Sequence, residues 1–177
     1  MLKNRLSLLL FCALCFSACA SAPRHNTGAQ PSPAATRTPT VVQQTQPVTA
    51  TVEEVRLTAT EPAEAVIHLD ISEGWYVNAN PQTDKAYTAT EVQAEPQEGI
   101  TPGAPLYPDA QTRRLPFSER PLALYQGAVV IRLPLRADAS TPKGRHTFRA
   151  RIRYQPGNER EFQQPRTIEA YIPVTVD

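Results

Sequence analysis

Between Ala65 and Val176 the chain passes through four long stretches in which apolar and polar residues alternate, and a period of two admits strands and little else. Ala65, Ile67, Leu69 and Ile71 alternate with Val66, His68 and Asp70. Val129, Ile131, Leu133 and Leu135 make a second apolar face, with Arg132 and Arg136 opposite. His146, Phe148, Ala150, Ile152 and Tyr154 make a third against Arg149, Arg151 and Arg153, and Ile168, Ala170, Ile172, Val174 and Val176 a fourth. Successive side chains of a strand point to opposite faces, so each stretch buries one row and wets the other. Shorter candidates are Val52 to Thr58, Trp75 to Asn78, Tyr87 to Ala94 and Pro121 to Tyr125. No segment holds a helical period. Roughly seven or eight short strands in about 125 residues predict an all-β fold, an immunoglobulin-like β-sandwich over residues 51–177.

The N-terminus has a different character. Lys3 and Arg5 precede an apolar run from Leu6 to Phe16, too short for a membrane-spanning helix, which needs roughly 20 apolar residues. The run ends in Phe16-Ser17-Ala18-Cys19, which resembles the bacterial lipobox, although Phe stands where Leu is usual. Two readings follow: a lipoprotein signal peptide over residues 1–18 with Cys19 acylated, or an ordinary secretory signal cleaved after Ala20 or Ala22. The first accounts for the coincidence of apolar run, small residues and cysteine. Residues 19–50 then form a lipidated cysteine and flexible linker of Ala, Pro, Thr, Gln and Ser, which lacks the apolar surface to offset its ordering entropy. About 30 such residues reach roughly 30 Å. Ala20 follows the cysteine in place of the Asp that favours inner-membrane retention in many Gram-negative bacteria, so a periplasm-facing anchor in the outer membrane is expected. Multiple acyl chains hold such a protein stably, where one chain would not.

The three cysteines, Cys12, Cys15 and Cys19, all lie within this leader and its boundary. An exported small domain usually relies on disulfides. Here the domain has none to form and must be held by its core. Losing Lys3 and Arg5 with the leader leaves 16 basic residues against 17 acidic ones. That balance offers no concentrated basic surface for nucleic acid.

Four motifs occur in order along the domain: Gly74-Trp75-Tyr76-Val77-Asn78-Ala79-Asn80-Pro81, Leu106-Tyr107-Pro108, Leu124-Tyr125-Gln126-Gly127 and Arg153-Tyr154-Gln155. Together they resemble the N-terminal periplasmic domain of the DsbD thiol:disulfide interchange family and its stand-alone relatives, over roughly residues 52 to 176. The resemblance implies an immunoglobulin-like domain that passes electrons from a membrane transporter to periplasmic partners. It also implies a cysteine pair after the Tyr-Gln signature, with four residues between the two. In Tyr154 to Pro165 the matching positions hold Gly157 and Phe162. Disulfide exchange needs a thiolate, and neither residue supplies one, so the resemblance implies the fold without the activity and no enzyme is expected.

Each remaining candidate has a plain reading beside a functional one. Pro156-Gly157-Asn158 reads as a hairpin turn. Phe162 fills the space a disulfide would occupy, or joins Trp75 and Tyr76 in an exposed aromatic patch. Trp75 is core packing or a ligand platform. Asn78 and Asn80 satisfy a turn beside Pro81, or contact a partner together with Tyr154 and Gln155. Arg149, Arg151 and Arg153 are a solvated face paired with acids such as Glu169, or a site for an anion. His25, His68 and His146 are scattered without an acidic cluster, so no metal and no other cofactor is expected, and Ser118 has no evident base. Three functions fit: a redox-inactive binding or adaptor module for an envelope protein, an accessory of thiol-disulfide exchange or cytochrome maturation, and a structural spacer. The anchor is tested directly. Cys19→Ser should abolish lipid labelling and release the protein from the membrane fraction, whereas unchanged detergent partitioning would place the attachment elsewhere.

Overall fold

A computed structural model describes residues 46–59 and 61–177. The expected signal peptide, Cys19 and the linker as far as residue 45 lie outside the described residues. The described strands are β1 (Val48–Val52), β2 (Val55–Leu57), β3 (Ala63–Ile71), β4 (Tyr76–Asn78), β5 (Glu91–Ala94), β6 (Ile100–Pro102), β7 (Gln111–Arg113), β8 (Leu122–Tyr125), β9 (Ala128–Ala137), β10 (Gly144–Tyr154), β11 (Pro156–Gly157) and β12 (Arg166–Val176). The four alternating stretches become β3, β9, β10 and β12, and among the described residues there is no helix.

Two four-stranded sheets form the body, in the orders β1-β3-β9-β6 and β2-β12-β10-β5. Pairing is antiparallel except where β2 runs parallel to β12. Ile67, Leu69, Ile131 and Leu133 of the first sheet and Phe148, Ile152, Ile172 and Val174 of the second meet in one core, none more than 1% exposed. The result is an all-β, immunoglobulin-like sandwich. Each such side chain contributes about 1.5–3 kcal/mol by leaving water.

Several short elements depart from the alternating pattern for identifiable reasons. The first strand begins at Val48, ahead of the boundary expected at residue 51: Val48 is fully buried and the ladder from Val48↔Ile71 to Val52↔Ile67 holds the Thr-rich strand. The run from Val52 to Thr58 divides at Glu53-Glu54, where the chain leaves the first sheet and joins the second as β2. Only Glu91–Ala94 of the run beginning at Tyr87 is a strand, because Thr90 gives both its N–H (3.0 Å) and its hydroxyl (2.7 Å) to the Asn78 carbonyl.

A third sheet, β11-β4-β8-β7, has two apolar faces. Val77 and Tyr125 join the main core, while Tyr76, Leu122 and Leu124 form a smaller core with Leu115, covered by Tyr87 and Phe162. The Tyr125 hydroxyl donates to the Pro108 carbonyl (3.1 Å) and the Tyr107 hydroxyl accepts the Val92 N–H (2.9 Å), so these two tyrosines tie loops to strands. Burial raises both phenols above their ordinary pKa.

The turn Gln97–Ile100 joins the two main sheets. Glu98 (φ 50°) and Gly99 (φ 79°) both adopt left-handed conformations, as a two-residue hairpin turn of type I′ requires. The Gly99 carbonyl accepts from the Asp138 N–H and the Thr141 hydroxyl, each at 2.9 Å, at the end of β9. On the other side the Gln97 carboxamide accepts the Arg149 N–H (3.0 Å) and donates to the Arg149 carbonyl (2.7 Å), extending the β5–β10 ladder by a side chain. The His146 ring sits between two acceptors, Nδ1 at 2.9 Å from the Glu98 carboxylate and Nε2 at 2.7 Å from the Pro142 carbonyl. Both nitrogens must donate, so the geometry is that of an imidazolium. The hydrogen bond to Glu98 is the main cause of a pKa above the ordinary histidine value, with the Pro142 carbonyl second.

A raised folded pKa means stability that is complete below the unfolded value, about 6.5, and is lost as pH rises through the folded one. The unfolding midpoint should therefore fall between about pH 6 and pH 8 more steeply in the native chain than in His146→Gln. Parallel profiles in denaturant titrations would exclude the charged pair.

Candidate functional site

The positions matching the family's cysteine pair lie in the hairpin after β10. Pro156 and Gly157 pair with Val77 and Tyr76 of β4, so they form a strand end where the sequence suggested a turn. The reversal comes at Asn158–Glu161, where the Asn158 carboxamide oxygen accepts the N–H groups of Arg160 (2.8 Å) and Glu161 (3.1 Å). The Asn158 N–H bonds the Glu161 carbonyl (3.0 Å) and the Gln163 N–H bonds the Pro156 carbonyl (2.8 Å). Between these rungs Gly157 and Phe162 are direct cross-strand partners. Gly157 is required for want of a Cβ and not for left-handed freedom, since a Cβ there would overlap the Phe162 ring.

Phe162 lies over Gly157 between two other aromatics. Its centroid is 4.6 Å from that of Tyr87 and 5.7 Å from that of Phe117, the latter edge-on. Such tilted and T-shaped pairs place ring edges against ring faces. Phe117 is 36% exposed and forms the outer end of the trio. The hairpin is fixed on both sides. The Gln155 carboxamide accepts the Thr88 N–H (2.7 Å) and donates to the Gln163 carbonyl (2.9 Å). Arg113 of β7 bonds Glu159 at the tip (3.0 Å) while its guanidinium carbon stands 4.7 Å from the Tyr76 ring centre.

The other candidates are separated by burial. Tyr76, Asn78 and Tyr154 are 3%, 2% and 0% exposed, so they belong to the interior and present no surface to a partner. Among the described residues the Tyr154 hydroxyl and the Asn78 side-chain NH2 have no hydrogen-bond partner, and burial pushes the Tyr154 phenol above its ordinary pKa while Arg166 opposes it. The Asn80 NH2 donates to the Thr90 carbonyl (3.0 Å), ten residues away and outside the turn at Pro81. Trp75 is half-buried against the main core beside the hairpin tip. The exposed patch of Trp75, Tyr76 and Phe162 therefore does not form: Trp75, just ahead of β4, packs against the main core, and Tyr76 is buried in the smaller core that Phe162 covers. Tyr87 and Phe117, which stand beside Phe162 instead, lie outside the strands; Tyr87 opens the run expected to be a strand as far as Ala94, and nothing in the sequence marks Phe117.

With all three cysteines at or before residue 19, this end of the domain can make non-covalent contacts but supplies no thiolate. Among the described residues no group of three or more His, Cys, Asp or Glu side chains could hold a metal ion. Gly157 and Phe162 occupy a non-hydrogen-bonded antiparallel site, where Cα atoms stand about 4.5 Å apart, within the range a disulfide spans. Replacing both by Cys should give a chain that loses two titratable thiols on mild oxidation while staying monomeric. Two thiols that stay free in the folded variant would contradict the pairing.

No protein-family model matches the sequence, and no curated protein matches it. Among solved structures the chain is similar to the reduced DsbD N-terminal domain of Neisseria meningitidis, with 15% identity over 66% of this chain and 82% of that one and a TM-score of 0.43. It is also similar to AggA, the major subunit of aggregative adherence fimbriae type I from Escherichia coli, with 11% identity over 74% of this chain and 95% of that one and a TM-score of 0.35. The DsbD N-terminal domain that the motif order resembles is thus also a structural neighbour.

Proposed function

We propose that this chain is a lipid-anchored envelope protein, held through Cys19, whose sandwich is a non-enzymatic binding or adaptor module that contacts another envelope protein through its hairpin end. The observation that carries the reading is the Phe162 ring seated over Gly157, at the two positions matching the redox pair of the resembled family. A site that would otherwise exchange electrons is filled by an apolar side chain, and the aromatic trio continues outward to the exposed Phe117. Aromatic residues with one face packed and one edge open suit protein contact. Arg113–Glu159 and Gln155 hold the surface in shape before a partner arrives, which lowers the ordering cost of binding.

A photo-crosslinking residue at position 117 tests this in cells. The expected result is one discrete adduct, absent when the same residue stands at position 130 on the outer face of β9 and weakened by Phe162→Ala. Equal, diffuse labelling from both positions would overturn the binding reading and leave a spacer.

A further inference from the structure

On the outer face of the second main sheet, β10 carries Arg145, Arg149, Arg151 and Arg153, all exposed. Alternate residues of a strand stand about 6.8 Å apart, so the last three form an evenly spaced row of guanidinium groups. The ordinary fate of such a row is pairing with acids directly across the sheet. Arg153 has Glu91 opposite in β5. Arg151 has the neutral Gln93 on that side and Glu169 of β12 on the other. Glu169, however, accepts the hydroxyl of Tyr171. Arg149 faces Tyr171 across β12, and past the end of β5 its other flank is taken by the Gln97 carboxamide, which bonds its backbone. Among the described residues no carboxylate lies within 4.0 Å of the guanidinium of any of the four arginines. The pairing with Glu169 expected from sequence is not made.

A depression of about 450 Å³ lies against two members of the row. Arg149 and Arg151 line it with Gln93, Gln97 and the acid Glu95. We propose that this face binds a linear phosphate-bearing polymer laid along β10, with Arg149 and Arg151 each holding one phosphate. A guanidinium fork matches phosphate oxygens two at a time, and among the described residues no carboxylate occupies either fork. The strand repeat sets Arg149 and Arg151 about 7 Å apart, so two separate phosphates of one polymer can be held at once. Since the mature chain is almost neutral, attraction is local to the row and does not extend to every polyanion. The acids Glu91, Glu95 and Glu169 bound the row and restrict how the polymer can lie. Tyr171, 55% exposed beside Arg149, offers a ring face to the uncharged part of the polymer. The site is separate from the hairpin and does not depend on what the hairpin contacts.

The mature chain in a nonionic detergent, titrated with inorganic polyphosphate, tests the proposal. Saturable binding is expected, weakening with salt as roughly two phosphates' worth of counterion release requires. Arg149→Ala with Arg151→Ala should lose about tenfold or more in affinity with an unchanged melting temperature, since both side chains are exposed. Arg149→Gln with Arg151→Gln gives the same reading should the alanine pair disturb the sheet. Phe162→Ala and Arg120→Ala should bind as the native chain does. Absence of saturable binding at about 50 mM salt, or equal affinity in the double variants, would overturn the site. Orthophosphate binding as tightly as the polymer would overturn the requirement for a row.

Discussion

The apolar contact between β3 and β9 on one side and β10 and β12 on the other carries the whole domain, because no covalent cross-link can assist it: no cysteine lies beyond residue 19. Small domains with thin cores commonly add disulfides. This one uses four long strands whose inward rows are buried over most of their length, and closes the ends of the sandwich with polar devices. At one end the turn at Glu98 and Gly99 bonds to both sheets, through Asp138 and Thr141 on one side and Arg149 and His146 on the other. At the other end the third sheet lays Val77 and Tyr125 on the main core.

That third sheet explains the character of the hairpin end. Because Tyr76 and Val77 face opposite ways, the sheet requires a second apolar cover, which Leu115, Tyr87 and Phe162 provide. Phe162 can lie flat over position 157 only because that residue is glycine. The pair is therefore a matched substitution in physical terms: the ring fills the volume that a bare glycine leaves open. A thiol at either position alone would meet a partner of the wrong shape.

The outer face of the second main sheet is governed by electrostatics, since no packing constrains it. Cross-strand register places acids near the β10 arginines, but a tyrosine hydroxyl competes for Glu169 and a glutamine amide occupies the strand edge beside Arg149. Exposed ion pairs are worth little in any case, so their loss costs the fold almost nothing. Among the described residues it leaves the β10 guanidinium groups without a carboxylate partner on a well-supported surface.

The sequence by itself determined the all-β class, the four long strands and their buried rows, and the absence of thiol chemistry beyond Cys19. Alternation is a local property, written in residues two apart, and a missing element is missing in any fold. The motif order also identified Gly157 and Phe162 as related positions, which the hairpin pairs directly. Tertiary structure alone decided which aromatics form the surface at that end. Tyr76 and Trp75 diverge into separate cores, and Tyr87 and Phe117 arrive from irregular segments far along the chain. It also decided that Glu169 turns to Tyr171 and away from Arg151. Such choices rest on contacts between distant residues and on competition among several partners for one group, and neither leaves a period or a spacing in the sequence to be read.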